Sequence, residues 1–447
     1  MKNLRLLLPA VALSLAACAS SVPAPLPIHA SGPGPRASDV AVLRTDVQST
    51  YDDIVAHESG TVELPPADFE VAAIPIPEHR TIRGALNLFT TDMRDDIQTS
   101  LLRSAHYKKT IEAALRDYRL PKGLEYLPVI ESAYMPLETS RSGAHGIWQF
   151  MPDTAREYGL RVDWWVDERA DPEKSAQAAA AYLNDLYRDF NDWSLALAAY
   201  NAGPGRIHRA MASTGSTNFW ELLDAGAVPR ETRGYVPTFY ATLIIASDPS
   251  TYGFRLDETL DVDVKHVSVE GPLSIAYLAE AAGVERAVLQ QMNPALRRAI
   301  LPPGRTTVNV PARAANTISA RASTLKNEDA NIAVCTFTLR EGDTLKRLAR
   351  AIGTSADTLI AMNALHSVHS VGEGDSIYLP VRARDLGTLL AGSYYSVRKG
   401  DTVYSIAKRH DLSVRELREL NDLSSKTKLH PGQRLRVTAP RPVTAGN

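Results

Sequence analysis

Apolar residues recur along the chain with different spacings, and the spacing divides it. Between residues 82 and 250 they return every three or four positions, the period of helices with one buried face. Asp171-Pro172-Glu173 reads as an N-cap with proline in the first turn, and Ala176, Ala179, Leu183, Tyr187 and Phe190 then mark one face. A second helix is predicted over 194–200, stopped by Ala202-Gly203-Pro204-Gly205, and a third from about 235 to 246, stopped near Asp248-Pro249. A shorter helix opened by Pro121 sets Leu124, Leu127 and Ile130 on one side and brings Glu131 to its C-terminal end. No alternating strand pattern of comparable strength occurs in this stretch, so it is predicted to be an α-helical domain.

The C-terminal part repeats itself. Gly342-Asp343-Thr344 returns as Gly400-Asp401-Thr402, a shift of 58 that also carries Leu359 to Leu417, Asn363 to Asn421, Gly374 to Gly432 and Ile377 to Leu435. Each unit has a short alternating run, two brief amphipathic helices and a closing strand, which predicts β-α-α-β. A weaker copy lies upstream at an offset of 70: Ile275, Leu278, Ala279, Gly283, Leu289, Met292, Asn293 and Gly304 match Leu345, Leu348, Ala349, Gly353, Leu359, Met362, Asn363 and Gly374. It reads Gly271-Pro272 where the others have Gly-Asp-Thr, and its strands slip by one residue. The repeat period permits a stacked solenoid, but the loosely composed joint at 382–392 argues for separate small modules. These repeats resemble LysM modules, a β-α-α-β family that binds glycans containing N-acetylglucosamine. The resemblance implies sugar contact by two facing loops, after the first strand and after the second helix. Mapped here they are Gly342, Asp343 and Thr344 with the residues after Asn363, and Gly400, Asp401 and Thr402 with those after Asn421. The same residues also suit a turn and a helix cap, and both roles can hold together. The upstream copy lacks the polar loop and is expected to be structural.

At the N-terminus Lys2 and Arg5 precede an apolar run over 6–17 broken only by Pro9 and Ser14. It is shorter than the roughly 20 residues a bilayer span requires and reads as a secretory signal. Its end, Leu15-Ala16-Ala17-Cys18, resembles the bacterial lipobox, which implies lipidation of Cys18 and an anchored mature chain; the alternative is an ordinary signal with an incidental cysteine. Residues 20–36, rich in Pro, Ala, Ser and Gly, have the composition of a tether, and 37–81 are expected to be an adaptor wrapping the next domain. With Ala19 and no Asp after the cysteine, the expectation is an outer-membrane lipoprotein facing the periplasm. The organisation is thus a signal (1–17), tether and adaptor (18–81), helical domain (82–250), degenerate repeat (264–312) and two modules (335–381 and 394–438).

Composition narrows the chemistry. The 447 residues carry 49 basic and 51 acidic side chains, so nucleic acid is not an expected partner. Two cysteines 317 positions apart, Cys18 and Cys335, exclude a disulfide framework and a cysteine zinc site. No metal motif is present and no cofactor is expected. The near-neutral total hides unlike parts: residues 82–250 hold 18 basic and 22 acidic groups, whereas 394–437 hold 10 and 5. A basic last module would be drawn toward an anionic cell wall.

The candidate chemistry lies in the helical part. At a helix C-terminus the macrodipole disfavours a carboxylate, and burial disfavours it further. Both raise the pKa of Glu131, and a carboxylic acid still protonated near neutral pH can protonate a glycosidic oxygen. Glu131-Ser132-Ala133-Tyr134 is followed by 142–152 (SGAHGIWQFMP), 198–206 (AAYNAGPGR) and 231–237 (ETRGYVP). These blocks, in this order, resemble the soluble lytic transglycosylase domain, a goose-lysozyme-like helical fold. The expected fold class is therefore multidomain: an α-helical lysozyme-like catalytic domain followed by small β-α-α-β LysM modules. The resemblance implies that Glu131 is the catalytic acid, that Ser142, Gln149 and Met151 line muramyl subsites, and that Tyr200 and Asn201 lie beside the reacting sugar. It also implies that Glu231 is a second acid of the binding surface. Tyr235 is a substrate-site candidate that would serve equally as a core aromatic, and His145 receives no role. The implied reaction is cleavage of peptidoglycan glycan strands between N-acetylmuramic acid and N-acetylglucosamine, closing a 1,6-anhydro ring. Two alternatives remain at this level: a muramidase using water, with Glu138 or Asp153 as second carboxylate, and an inert glycan-binding scaffold.

Overall fold

The computed structural model describes residues 47–65, 70–71, 74–256, 263–321, 334–339, 343–381, 394–410, 412–424 and 427–437. Cys18, with the signal and tether, and Gly342 lie outside the described residues.

The first body is helical. Helix α1 (Val47–Ala56) and a two-residue antiparallel pair, β1 (Glu70–Val71) with β2 (Ile74–Pro75), precede α2 (Arg80–Thr90), α3 (Arg94–Ser104) and α4 (Lys108–Asp117). A 3₁₀ turn (Lys122–Tyr126) leads into α5 (Leu127–Ser132), followed by α6 (Pro152–Glu157), α7 (Pro172–Phe190), α8 (Trp193–Ala202), α9 (Pro204–Thr214), α10 (Phe219–Asp224) and α11 (Arg230–Ser247). Ile54, Ile74 and Ile76 join the same buried core as the helices, so segments before residue 80 pack into this body.

Local chemistry explains the helix ends. Asp171 accepts from the amides of Glu173 and Lys174 to start α7, and Asn191 ends it in the left-handed region. Asp192 then caps α8 through Leu195 N–H, and α8 is apolar nearly all round because it lies inside the body. Helix α11 begins five residues before the position the hydrophobic pattern suggests and carries Pro237 in its interior. The proline is accommodated in a turn where the Thr238 hydroxyl donates to the carbonyls of Gly234 and Tyr235.

Three small units follow, each with its own apolar core. The first holds β3 (Val264–Ser274), α12 (Ile275–Ala282), α13 (Arg286–Gln291), β4 (Ile300–Pro311) and an added helix α14 (Ala312–Arg321), which buries Ala314 and Ile318 and has no counterpart in the sequence repeat. The second holds β5 (Cys335–Thr338), α15 (Leu345–Ala351), α16 (Ala356–Met362) and β6 (Ser376–Leu379). The third holds β7 (Tyr394–Ser396), α17 (Val403–Arg409), α18 (Val414–Leu420) and β8 (Arg434–Arg436). Each strand pair is antiparallel, and the register of the first unit is displaced by one residue from the other two, as the sequence offset implies. Cys335, the first residue of β5, is a free thiol buried in the second unit's core, and burial pushes its pKa up to about 11.

One side chain closes all three units in the same way. Asn363, just past α16, donates its amide to the carbonyls of Leu359 (2.9 Å) and Tyr378 (2.9 Å) and accepts from Tyr378 N–H (2.6 Å). Asn421 does this with Leu417 and Arg436, and Asn293 with Leu289 and Asn309. The amide thus joins the end of the second helix to the closing strand. Asn421→Ala leaves buried backbone groups without partners, which costs about 1–3 kcal/mol. Hydrogen–deuterium exchange in β8 is expected to speed up accordingly in that variant, and unchanged exchange there would contradict the clamp.

Candidate active site

Glu131 stands in the last turn of α5, where Ala133 (φ 50°) and Tyr134 (φ 58°) turn the chain through the left-handed region. The reversal is held from two sides. Ser132 Oγ donates to Ile147 O at 2.9 Å, and the buried Tyr134 hydroxyl donates to Glu125 O while its ring stacks on Tyr107 at 5.8 Å. The Glu131 carboxylate accepts a hydrogen bond from the Tyr235 hydroxyl, which α11 carries across the body. Burial raises the Glu131 pKa to about 8; the Tyr235 hydrogen bond opposes the rise and the Glu231 carboxylate adds to it. Burial, reinforced by the Glu131 charge, also holds the Tyr200 and Tyr235 hydroxyls well above the ordinary phenol range, so both remain donors.

Around this acid the hydrogen bonds form a chain. Tyr200 donates to the carbonyl of the fully buried Trp148 at 2.8 Å. Asn201 accepts from Thr232 Oγ1 (2.8 Å) and donates to Glu231 Oε1 (3.2 Å), which fixes the orientation of its amide. Residues 138–150 form a tight loop closed by Gly146 N–H to Glu138 O (3.0 Å) and His145 N–H to Phe150 O (3.1 Å). Gly146 has φ 84°, and a Cβ there would lie 1.9 Å from Arg169 O, so only glycine fits. Gln149 (φ 47°) donates its side-chain amide to Gly146 O at 2.8 Å.

Arg169 holds the outer side of the loop. Its Nη1 donates to Gly143 O and Phe150 O, both at 2.8 Å, and its other nitrogens grip the Asp167 carboxylate in a bidentate pair at 2.8 Å. Both side chains are buried, at 8 % and 9 % exposure, where a paired charge is tolerable and an unpaired one is not. Burial opposes ionisation of Asp167, but the Arg169 contacts outweigh it and hold the carboxyl below its usual range.

A family model described as the transglycosylase SLT domain matches residues 109–223, and the LysM domain matches 337–380 and 395–438. Membrane-bound lytic murein transglycosylase D of Escherichia coli (strain K12) is 32 % identical over 377 residues, which covers 80 % of this chain and 82 % of that protein. The chain belongs to the membrane-bound lytic murein transglycosylase D family. The soluble lytic murein transglycosylase of the same strain is 34 % identical over 117 residues, or 25 % of this chain and 18 % of that one. The solved structure of an inactive mutant of the lytic transglycosylase Slt from Pseudomonas aeruginosa is 26 % identical, with a TM-score of 0.28, over 34 % of this chain and 25 % of that one. The helical body followed by small antiparallel modules is the fold class expected from the sequence.

Within this family member, Glu131, Tyr200, Asn201, Glu231 and Tyr235 are linked by contact or charge, although Glu231 and Tyr235 lie beyond the matched SLT segment. Ser142 is exposed beside Ser140 (3.0 Å), Met151 is 43 % exposed, and Gln149 turns inward to brace its own loop. Asp153 is fully exposed and paired with Arg156. In the modules, Thr344 and Thr402 cap α15 and α17, and Asp401 accepts from Tyr395 Oη and Arg398 N–H. Asn363 and Asn421 spend their amides on the clamp. The sequence reasoning missed Asp167 and Arg169, whose only signal is a charged run two residues before the α7 cap.

Two pH consequences follow. Native Glu131 keeps its proton at pH values where the unfolded chain has released it, so it lowers stability progressively as pH rises from about 4.5 to about 8. Glu131→Gln should therefore melt higher than the parent at pH 8 and no higher at pH 4. In the pH–rate profile, Tyr235→Phe should move the alkaline limb to higher pH and Glu231→Gln to lower pH, since the first removes a group that favours the carboxylate and the second one that disfavours it.

Proposed function

We propose that this chain cleaves the β-1,4 bond between N-acetylmuramic acid and N-acetylglucosamine in peptidoglycan without consuming water. Glu131 gives its proton to the glycosidic oxygen, the C1–O bond breaks, and the substrate's acetamido oxygen stabilises the oxocarbenium-like state. The resulting Glu131 carboxylate takes the proton from the muramyl 6-hydroxyl, whose oxygen bonds C1 and closes the 1,6-anhydro ring. The observation that carries this reading is the Glu131 carboxyl set into the helical body and bonded by the Tyr235 hydroxyl, where burial favours an acid that starts protonated and leaves a base where the hydroxyl must be deprotonated. Asn201, its amide oriented by Thr232, is suited to hold the acetamide, and Tyr200 to flank the reacting sugar. Ser142, Gln149 and Met151 belong to the loop that would carry the muramyl side of the strand.

The two C-terminal modules would hold the enzyme on the glycan, with the loops at Asp343 and Asp401 and the segments after Asn363 and Asn421 as sugar-facing parts, the Asp401 carboxylate itself fixing its loop through Tyr395 and Arg398. Thr344, Thr402 and Gly400 shape the first loops, as Gly342 would in the second unit. The membrane-bound relative supports a site of action at the cell envelope, where Cys18 would anchor the chain as an outer-membrane lipoprotein facing the periplasm.

A hydrolytic outcome needs a second carboxylate to activate water. Asp153 is engaged at the surface with Arg156, whereas Glu231 is the carboxylate whose charge reaches Glu131. Mass spectrometry of digested sacculi separates the two: anhydro-muramyl ends are expected, and reducing ends alone would overturn the transglycosylase reading. Glu131→Gln should lose lysis by about 10³-fold or more, the usual scale for removing a proton donor, with sacculus pull-down unchanged. An inert scaffold would show no lysis in the parent chain either.

A further inference from the structure

The first of the three small units has lost both features through which the other two are read as binding sugar. In the second unit the described part of the ladder ends at Leu339 with Gly374, and in the third it closes at Val397 with Gly432, where the first loop departs. In the first unit β3 stays paired with β4 beyond the matching Gly304, through Leu273↔Leu301 and Ser274↔Ile300, and Ile275 N–H donates to Ala299 O at 2.8 Å. Paired strand occupies the place of the first loop.

The second loop, after Asn293, is covered, and what covers it is the catalytic body. Asp167 N–H donates to Ala295 O (2.9 Å), Arg297 N–H donates to Trp165 O (3.1 Å), and Val166 bridges Leu296 antiparallel. Arg297 Nη1 reaches Asp163 O at 3.0 Å, and the Arg298 guanidinium lies 3.9 Å from the centre of the Trp164 ring and donates to its carbonyl. Trp165 and Val166 are buried in this junction, and Trp165 Nε1 continues to Met362 O of the second unit at 2.9 Å.

Asp167 faces both ways. Its amide is bonded to the repeat, and its carboxylate holds Arg169, which in turn holds the Gly143 and Phe150 carbonyls at the two ends of the segment carrying Gln149, with Ser142 next to its first residue. We infer that the degenerate repeat is a docking module: its former sugar loop grips residues 163–167 of the catalytic body and, through Asp167 and Arg169, braces the substrate-facing loop. Arg169 is then a positioning residue, and the repeat contributes no glycan contact of its own. The consequence for substrate rests on the proposed reading of that loop, but the docking does not.

The test uses the full chain and the double variant Arg297→Ser/Arg298→Glu, which changes two exposed side chains and leaves the core of the repeat untouched. Hydrogen–deuterium exchange of amides 142–151 should quicken by about tenfold once the brace loosens, the scale of a local opening rather than global unfolding. Exchange in α2, whose side chains bond to His57, Val62 and Asp224 and not to the loop or the repeat, should be unchanged, which separates loosening from misfolding. With soluble glycan strands KM should rise by about tenfold with kcat nearly constant, the signature of lost uniform binding. Loop exchange identical to the parent overturns the brace, whatever the activity. In a second arm, N-acetylglucosamine tetramer added to the parent chain should protect the segments after Asn363 and Asn421 and leave 294–299 unchanged. Protection at 294–299 overturns the docking assignment; protection nowhere contradicts the sugar-binding reading of the modules and leaves the exchange arm to decide the brace.

Discussion

A carboxyl group keeps its proton at neutral pH only where water has been taken away from it, and Glu131 meets that condition because of where α5 ends. The turn at Ala133 and Tyr134 holds the acid against α11, and burial then accounts for most of the displacement of its pKa. The surrounding contacts serve that one burial. Tyr235 keeps the carboxyl oriented at some cost to its basicity, Tyr200 is tied to the Trp148 backbone, and Ser132 fastens the turn to the loop that would meet the substrate. If the turn opened, water would reach Glu131 and the acid would ionise at the pH of an ordinary carboxyl.

The loop over 138–150 is held in two ways: Ile147, Trp148 and Phe150 sink into the apolar core, and its backbone carbonyls are taken by hydrogen bonds. Its carbonyls are claimed by Gly146 N–H, Gln149 and Arg169, and the closest approach, at Gly146, leaves no room for a methyl group. The buried Asp167–Arg169 pair supplies the strongest of these attachments. Removing one member strands a charge in a site where it cannot be solvated, so the pair acts as a single part.

Much of this was legible in the sequence, for reasons that differ from residue to residue. The helical period and the Asp171-Pro172 start are local, and the structure reproduces them. Glu131 is legible because the blocks that follow it resemble a family with its acid at that position; the helix expected from Pro121 is a 3₁₀ turn over Lys122–Tyr126 before α5 begins. The offsets of 58 and 70 showed three related units, and even the slip of one residue in the first unit reappears in its strand register. What sequence does not carry is the direction in which a polar side chain faces. The resemblances imply a muramyl subsite at Gln149 and sugar contact around Asn363 and Asn421, and the amide groups of all three are engaged by the protein's own backbone. Asp167-Glu168-Arg169 looks like a solvated charge run; two of its members are buried because the folded chain brings Gly143 and Phe150 over them.

The asparagine clamp has a consequence for how such a chain changes over generations. All three of its bonds in each unit go to backbone atoms, so its strength is indifferent to which side chains surround it. Loops on either side can be rewritten without loss of the scaffold, and a duplicated unit is free to drift as long as one asparagine survives. The chain holds both outcomes of that latitude side by side: two units with Gly-Asp-Thr after the first strand and one with Gly271-Pro272 and paired strand there, all closed by the same asparagine.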